Sequence, residues 1–181
     1  MTRSAFPQPT ERLRFRTWTS EDVALALSLW GDPEVMRYLD ARGALDRDAV
    51  TARLRREIRT ESEHGVQYWP IFLRATDAFA GCAGLRPRRA GEGVYEIGVH
   101  LRRVFWGRGL AREAGEAVVG HAFGLLGATV LFAGHHPDNR ASRRLLESVG
   151  FRFTHEELYG PTGRMHPSYE LRRGDLAGDA G

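Results

Sequence analysis

Three short stretches of the chain hold residue types that could do chemistry together. The first is VYEIGVHL (94–101), a strand-like run in which Glu96, Gly98 and His100 share one face. Tyr95, Ile97, Val99 and Leu101 share the other, as the two-residue period of a strand requires. A carboxylate, a gap and an imidazole on one side could move a proton. Glycine inside a strand predicts a bulge or a close backbone approach. Taken alone, Glu96 also reads as a solvated strand residue and His100 as a hydrogen-bonded filler.

The second stretch is WGRGLAREAGEAV (106–118), where two glycines stand before a run of helix formers. Glycine costs backbone entropy, so a pair at a helix mouth needs a reason. One is a tight turn. The other is close approach to an anion, because clustered N–H groups and the helix dipole present positive potential there. The third stretch, HHPDNRASRRLLESVGF (135–151), stops a strand at Pro137 and starts a helix capped by Asp138 or Asn139. Ser142 lies one turn on, on the face of Asn139. By itself this segment reads as a capped helix and no more.

Bulk properties narrow the classes. The 181 residues suit one domain with a sizeable core, and 42% hydrophobic with 27% charged residues is ordinary for a globular protein. All 26 basic residues are arginine. Without lysine there is no Walker-type phosphate loop and no Schiff base, so a phosphate would rest on backbone amides with Arg102, Arg103 or Arg108. The net charge of +3 and scattered arginines do not call for nucleic acid. The densest group, Arg53, Arg55, Arg56 and Arg59, alternates with a helical apolar stripe. No apolar run reaches the roughly 18 residues of a membrane span. MTRSAFPQPTERLRF has no apolar leader-like region, and a single cysteine, Cys82, excludes an internal disulfide framework. A cytoplasmic location is expected.

The elements that must position these stretches follow from periodicity. ERLRFRTW (11–18) alternates as a strand; a helix is expected from Ser20, as N-cap, to Trp30, and a short one at PEVMRYL. Val50, Leu54 and Ile58 mark a helix from Asp46 to about Ser62. VQYWPIFLR and AFAGCAGLR read as strands joined at Thr76 and Asp77, with VYEIGVHL the third of the run. Leu110, Ala114, Val118, Ala122 and Leu125 share a face of the glycine-introduced helix. TVLFAGHH follows as a strand, then a helix ending at Gly150, then FRFTHEEL and HPSYELR as a closing pair of strands. The order predicts one α+β (or α/β) domain around a twisted sheet of six or seven strands.

Together, YEIG, the GxG turn and the PxNxxS…LLExxGF helix, in this order, resemble the GNAT acetyltransferase superfamily and its ribosomal-protein-alanine N-acetyltransferase (RimJ/RimL-like) branch. The resemblance runs from TERLRFRTW to HPSYELR. It implies a single GNAT-like domain over 1–181, with about four helices, a core of about 10–173 and a frayed tail at 174–181. It implies acetyl-CoA as cosubstrate and a primary amine as acceptor. The implied cofactor-binding set is Val99, His100 and Leu101 at the strand end, Gly107, Arg108, Gly109, Leu110 and Ala111 at the helix mouth, and Asn139 with Ser142. The family signature places glutamine or arginine where this chain has Val104, which leaves the grip to backbone amides. Leu146 stands where many members carry a general-acid tyrosine. In the resembling branch the serine of NxxS is the proton donor to the leaving thiolate, a place Ser142 fills.

The chemistry asks little more. An α-amino group (pKa ~7.7–8.0) or a lysine amine (~10.4) must lose a proton before attack, and Glu96 is the expected base, directly or through water. A backbone N–H of Val99 or His100, freed at a Gly98 bulge, is the expected donor to the carbonyl oxygen. The acceptor is expected to be a protein or peptide N-terminus, the alternatives being a polyamine or aminoglycoside, or a non-catalytic acyl-CoA-binding module. No metal is expected: HEELY lacks the second histidine of HExxH, and adjacent His135 and His136 point opposite ways on a strand. The protein is expected to be a monomer or homodimer.

Overall fold

The computed structural model describes residues 6–177. Its seven strands are β1 (Leu13–Phe15), β2 (Tyr68–Leu73), β3 (Phe79–Arg89), β4 (Val94–Leu101), β5 (Val130–Gly134), β6 (Arg152–Tyr159) and β7 (Arg164–Arg172). They form one mixed sheet in the order β1-β2-β3-β4-β5-β7-β6. The helices are α1 (Val23–Trp30), α2 (Pro33–Met36), α3 (Arg47–His64), α4 (Leu110–His121) and α5 (Arg140–Val149). The α+β class and seven strands agree with the expectation from periodicity; α2 is a single turn.

β2 explains its own apolar run. Tyr68 and Phe72 join a core with Trp18, Leu29, Trp30, Val50 and Leu54, while Trp69 and Ile71 join a second core with Leu110, Val118, Leu131 and Leu171. The strand is buried on both faces, so alternation disappears. The first core lies under α1–α3, the second under α4, and the sheet separates them.

Helix ends follow the local chemistry, with two corrections. The first helical segment is capped by Thr19 rather than Ser20: Thr19 and Asp22 form a capping box, and Asp22 also takes two 2.7 Å hydrogen bonds from Arg16. α3 begins where Asp46 accepts from the Ala49 N–H and ends at Gly65, whose φ of 67° suits a left-handed cap. In α4 the expected face holds through Ala122, but Leu125 is exposed and Phe123 is buried instead. A π-type turn over Ala122–Leu126 is the cause. It adds a residue to the turn and rotates the following side chains out of phase.

The connection β4–α4–β5 is the strand–helix–strand unit, and β4 and β5 run parallel. Their pairing covers only Val94–Glu96 against Val130–Phe132. Beyond it β4 continues along β3 as far as Gly81 opposite Leu101, and β5 continues along β7 as far as Gly134 opposite Ser168. The sheet therefore opens into a wedge in its middle. Residues 173–177 form a final turn, in which Asp175 accepts from the Arg172 N–H; 178–181, the rest of the expected tail, lie outside the described residues. Among the described residues no helix is long and apolar enough to cross a membrane.

Four histidines carry a pH signature. Burial holds His100, His121, His135 and His166 below the ordinary histidine value, His166 at about 4 with help from His136 and His135. Below the unfolded value of ~6.5 the unfolded chain takes protons that the folded one refuses. This contribution to stability is thus complete above ~6.5 and is lost as pH falls toward about 4. Half-buried Glu61, whose carboxyl pKa is raised by desolvation, opposes the loss in part. Scanning calorimetry should give a lower Tm at pH 5 than at pH 7.5, with a smaller drop in His166→Gln.

Candidate active site

The wedge fixes which backbone groups are free. The Arg102 N–H donates to Ala80 O at 2.9 Å. Alternation along an antiparallel ladder then commits His100, Gly98 and Glu96 to β3 and turns the Val99 and Leu101 N–H groups away from it, into the opening. Of the two amides named from sequence, Val99 faces the wedge and His100 does not. The expected bulge at Gly98 is absent: β3 and β4 pair without interruption from Leu101 to Tyr95, and the register shift sits at Pro87/Arg89.

Gly98 serves close approach instead. A Cβ there would stand 2.5 Å from Cζ of Tyr68. Gly84, directly opposite on β3, would meet Gln67 O at 1.9 Å and Tyr68 Cα at 2.8 Å. The two glycines clear a slot in which the Tyr68 ring lies across β4. From that slot the Tyr68 hydroxyl donates to Glu96 Oε1 at 3.3 Å. Tyr68 is held from behind as well: its N–H donates to buried Glu57 at 3.0 Å, and Glu57 forms an ion pair with Arg86, whose guanidinium lies 4.3 Å over the Tyr68 ring. Burial and the Glu96 charge together push the phenol pKa up, so it remains a donor.

His100 is fixed as a neutral ring. The Trp30 indole N–H, which can only donate, points to His100 Nδ1 at 3.3 Å. That nitrogen is therefore unprotonated and the hydrogen sits on Nε2. Burial, with Arg53 and Arg86 nearby, keeps the pKa well below the ordinary value. The ring is a donor on its open side and not a base.

The glycine turn has the geometry of a binding mouth. Gly107 and Gly109 have φ of 71° and 75°, a region costly to residues with a Cβ. Gly109 starts α4 with no side-chain cap, which leaves the first helical N–H groups without a side-chain partner. The turn is pinned from both sides. Arg12 donates to Arg108 O at 2.9 Å and pairs with Glu113 at 2.6 Å, and the Trp106 indole donates to Leu101 O at 2.8 Å. Arg102 is turned toward Phe79 O, away from the mouth, whereas Arg108 lines it.

Two cavities meet at this point. The smaller, about 300 Å³, is lined by all ten residues expected around a cofactor: Val99, His100, Leu101, Gly107, Arg108, Gly109, Leu110, Ala111, Asn139 and Ser142. The larger, about 830 Å³, holds Glu96 with Tyr68, Tyr159 and Arg53. Val99, His100, Asn139 and Ser142 line both. Asn139 is the cap of α5, its Oδ1 accepting from the Ser142 N–H at 3.1 Å. The cap leaves the Asn139 amide N–H groups and the Ser142 hydroxyl available to a ligand. Sequence reasoning missed Tyr68, Trp30 and Arg53. They lie on β2, α1 and α3, and only Gly84 and Gly98, two glycines inside strands, hinted that a ring must pass. Among the described residues no group of three or more His, Cys, Asp or Glu could hold a metal.

Known proteins resemble this chain in sequence and in fold. Residues 12–152 match the family described as an acetyltransferase (GNAT) domain. The chain is 29% identical over 143 residues to the uncharacterized N-acetyltransferase p20 of Bacillus licheniformis, covering 79% of this chain and 80% of the relative. It is 31% identical over 147 residues to YkkB of Bacillus subtilis, covering 80% and 84%. In fold it superposes on a GNAT-family acetyltransferase of Bacillus anthracis with a TM-score of 0.79 at 21% identity, over 92% of this chain and 98% of that one. It superposes equally on RimL, a ribosomal L7/L12 α-N-protein acetyltransferase in complex with coenzyme A, at 0.79 and 16% identity, over 91% and 96%. A matched domain spanning most of the chain, on a sheet opened at its fourth strand, makes this protein a member of the GNAT acetyltransferase family and an acyltransferase.

Proposed function

We propose that the enzyme transfers an acetyl group from acetyl-CoA to the α-amine of a protein or peptide N-terminus, by direct attack of the amine on the thioester. The observation that carries this reading is the meeting of two cavities at Val99, with the glycine turn in one and Glu96 in the other. Acetyl-CoA, when bound, supplies an activated acyl group and a thiolate that leaves easily, with a pKa around 8.5 by analogy with cysteine. The residues of the smaller cavity fit it: the uncapped N–H groups of Leu110 and Ala111 with Gly107 and Gly109 suit its pyrophosphate, and the Asn139 amide suits its pantetheine arm. The RimL fold neighbour, which carries coenzyme A, acts on a protein α-amine by its description.

Each remaining task falls to a residue of this chain. Glu96 takes the proton of the incoming amine, directly or through water, and the Tyr68 hydroxyl orients its carboxylate. The Val99 N–H, turned into the wedge, is placed to hold a carbonyl oxygen as charge grows on it. Ser142, which borders both cavities, returns a proton to the sulfur. Juxtaposition of amine and thioester supplies much of the rate, so loss of any one group weakens the reaction without abolishing it. A polyamine or aminoglycoside acceptor is disfavoured because Asp40 and Glu157 at the larger cavity are already paired with Arg42 and Arg88. That leaves Glu96 as the cavity's one carboxylate without an ion pair among the described residues, beside Arg53 and Arg56.

Glu96→Gln should lower kcat/KM on the order of 10²-fold, and Ser142→Ala about tenfold. A Glu96→Gln/Ser142→Ala double variant with full turnover would refute the assignment. The pH profile of kcat/KM for a peptide should rise to a plateau near ~8, the pKa of an α-amine, instead of climbing toward ~10 as a lysine side chain would. Gly109→Ala puts a Cβ at a φ of 75°. It should raise KM for acetyl-CoA about tenfold while KM for the amine stays unchanged, as initial rates at varied cosubstrate will show. Gly98→Ala forces the Tyr68 ring aside and should lower kcat more than it raises either KM.

A further inference from the structure

The larger cavity contains two opposite charges that do not pair with each other. Glu96 takes a hydrogen bond from Tyr68 and enters no ion pair among the described residues. Arg53, on the inner side of α3, also enters none among the described residues. Its guanidinium stacks 4.3 Å over the Trp30 ring, and its Nε is shielded from solvent without a hydrogen-bond partner. The neighbouring charges are already matched: Arg86 to Glu57, Arg42 to Asp40 and Arg88 to Glu157. Tyr68 and Tyr159 each feel the fields of both Glu96 and Arg53, so the unpaired charges border the same space.

Arg53 has one nitrogen shut off without a partner, and its two terminal nitrogens, which meet no protein acceptor among the described residues, are left to what enters the cavity. Its flat fork of donors suits a carboxylate. Arg56, also without an ion pair, stands on the same wall one turn along α3. We propose that the acceptor is an amine carrying a carboxylate within a residue or two of its amino group. The amine faces Glu96 and the carboxylate faces Arg53. Among peptide N-termini this selects those with aspartate or glutamate at the first or second position; the same chemistry is offered by a free acidic amino acid. The inference rests on the amine-acceptor reading above and narrows it.

The test is calorimetric titration of the full chain, which needs no turnover. N-acetyl-Asp-Ala-amide should bind at least tenfold tighter than N-acetyl-Asn-Ala-amide, and the difference should shrink with added salt. Arg53→Gln should erase the difference by weakening the aspartyl ligand alone, and Arg53→Lys should keep part of it. Arg53→Gln should also leave Tm unchanged or raise it, since it removes an unmatched charge, whereas a purely structural arginine would lower Tm. Equal affinities in the unaltered protein, or a preference that survives Arg53→Gln, would overturn the proposal. N-acetylaspartate binding as tightly as the peptide would assign the carboxylate to a small acceptor; weaker binding assigns it to a peptide. If the preference holds but no amine is acetylated, the anion site stands and the amine-acceptor reading falls.

Discussion

Everything at the site depends on where β4 stops pairing with β5. Three residues of parallel ladder join the two halves of the sheet, and past Glu96 each half follows its own neighbour. A β-strand without a partner on one side presents backbone donors and acceptors that must be met by water or a ligand. Here those groups are the peptide groups of Val99 and the Leu101 N–H, the Leu101 carbonyl being met by the Trp106 indole, in the middle of the molecule and not at its edge. The same divergence makes room for α4 to aim its N-terminus into the gap and for α5 to approach from the other side. One break in one ladder therefore produces both cavities and the junction between them.

What the wedge leaves open, packing must hold to shape. Tyr68 reaches Glu96 only because Gly84 and Gly98 remove side chains from two adjacent strands in the path of its ring. Strand glycines weaken a sheet, so their presence in β3 and β4 makes sense only through the ring that crosses them. Behind that ring the Glu57–Arg86 pair anchors both the backbone and the π face of Tyr68. An ion pair this deep contributes little net stability. Its effect is positional: it keeps Arg86 engaged, so that Glu96, its cross-strand neighbour, remains without an ion pair.

The electrostatics follow the same division. An all-arginine chain cannot place a compact ammonium in its site, so anion binding falls to helix-mouth amides and to guanidinium groups. His100 is kept neutral by a donor that can only donate. The buried Cys82 thiol is pushed up and stays inert. Of the side chains proposed to move protons, Glu96 lines the larger cavity and Ser142 borders both.

Local order was legible in the residues themselves. Strand and helix periods, the Asn139 cap, the Gly150 stop and the GxG mouth are decided by neighbours within a few positions, and a linear reading captures such neighbours. It also named ten of the residues that line the smaller cavity, eight of them within the continuous stretch 99–111 and two at the start of α5. Of the two reasons it offered for Gly98, a bulge and a close approach, only the second holds, and it missed Tyr68, Trp30 and Arg53. Tyr68 lies 28 positions from Glu96, and Trp30 lies 70 from His100. No spacing rule connects residues so far apart. The register of β2 against β3 and β4, and the packing of α1 and α3 on that face, decided which rings and charges line the larger cavity. The π-type turn that exchanges Leu125 for Phe123 is of the same kind, since the competition between two helical phases is settled by the core they pack against. The sequence by itself determined the elements and the glycine turn at the mouth of α4; the shape and charge of the larger cavity exist only once the sheet is assembled.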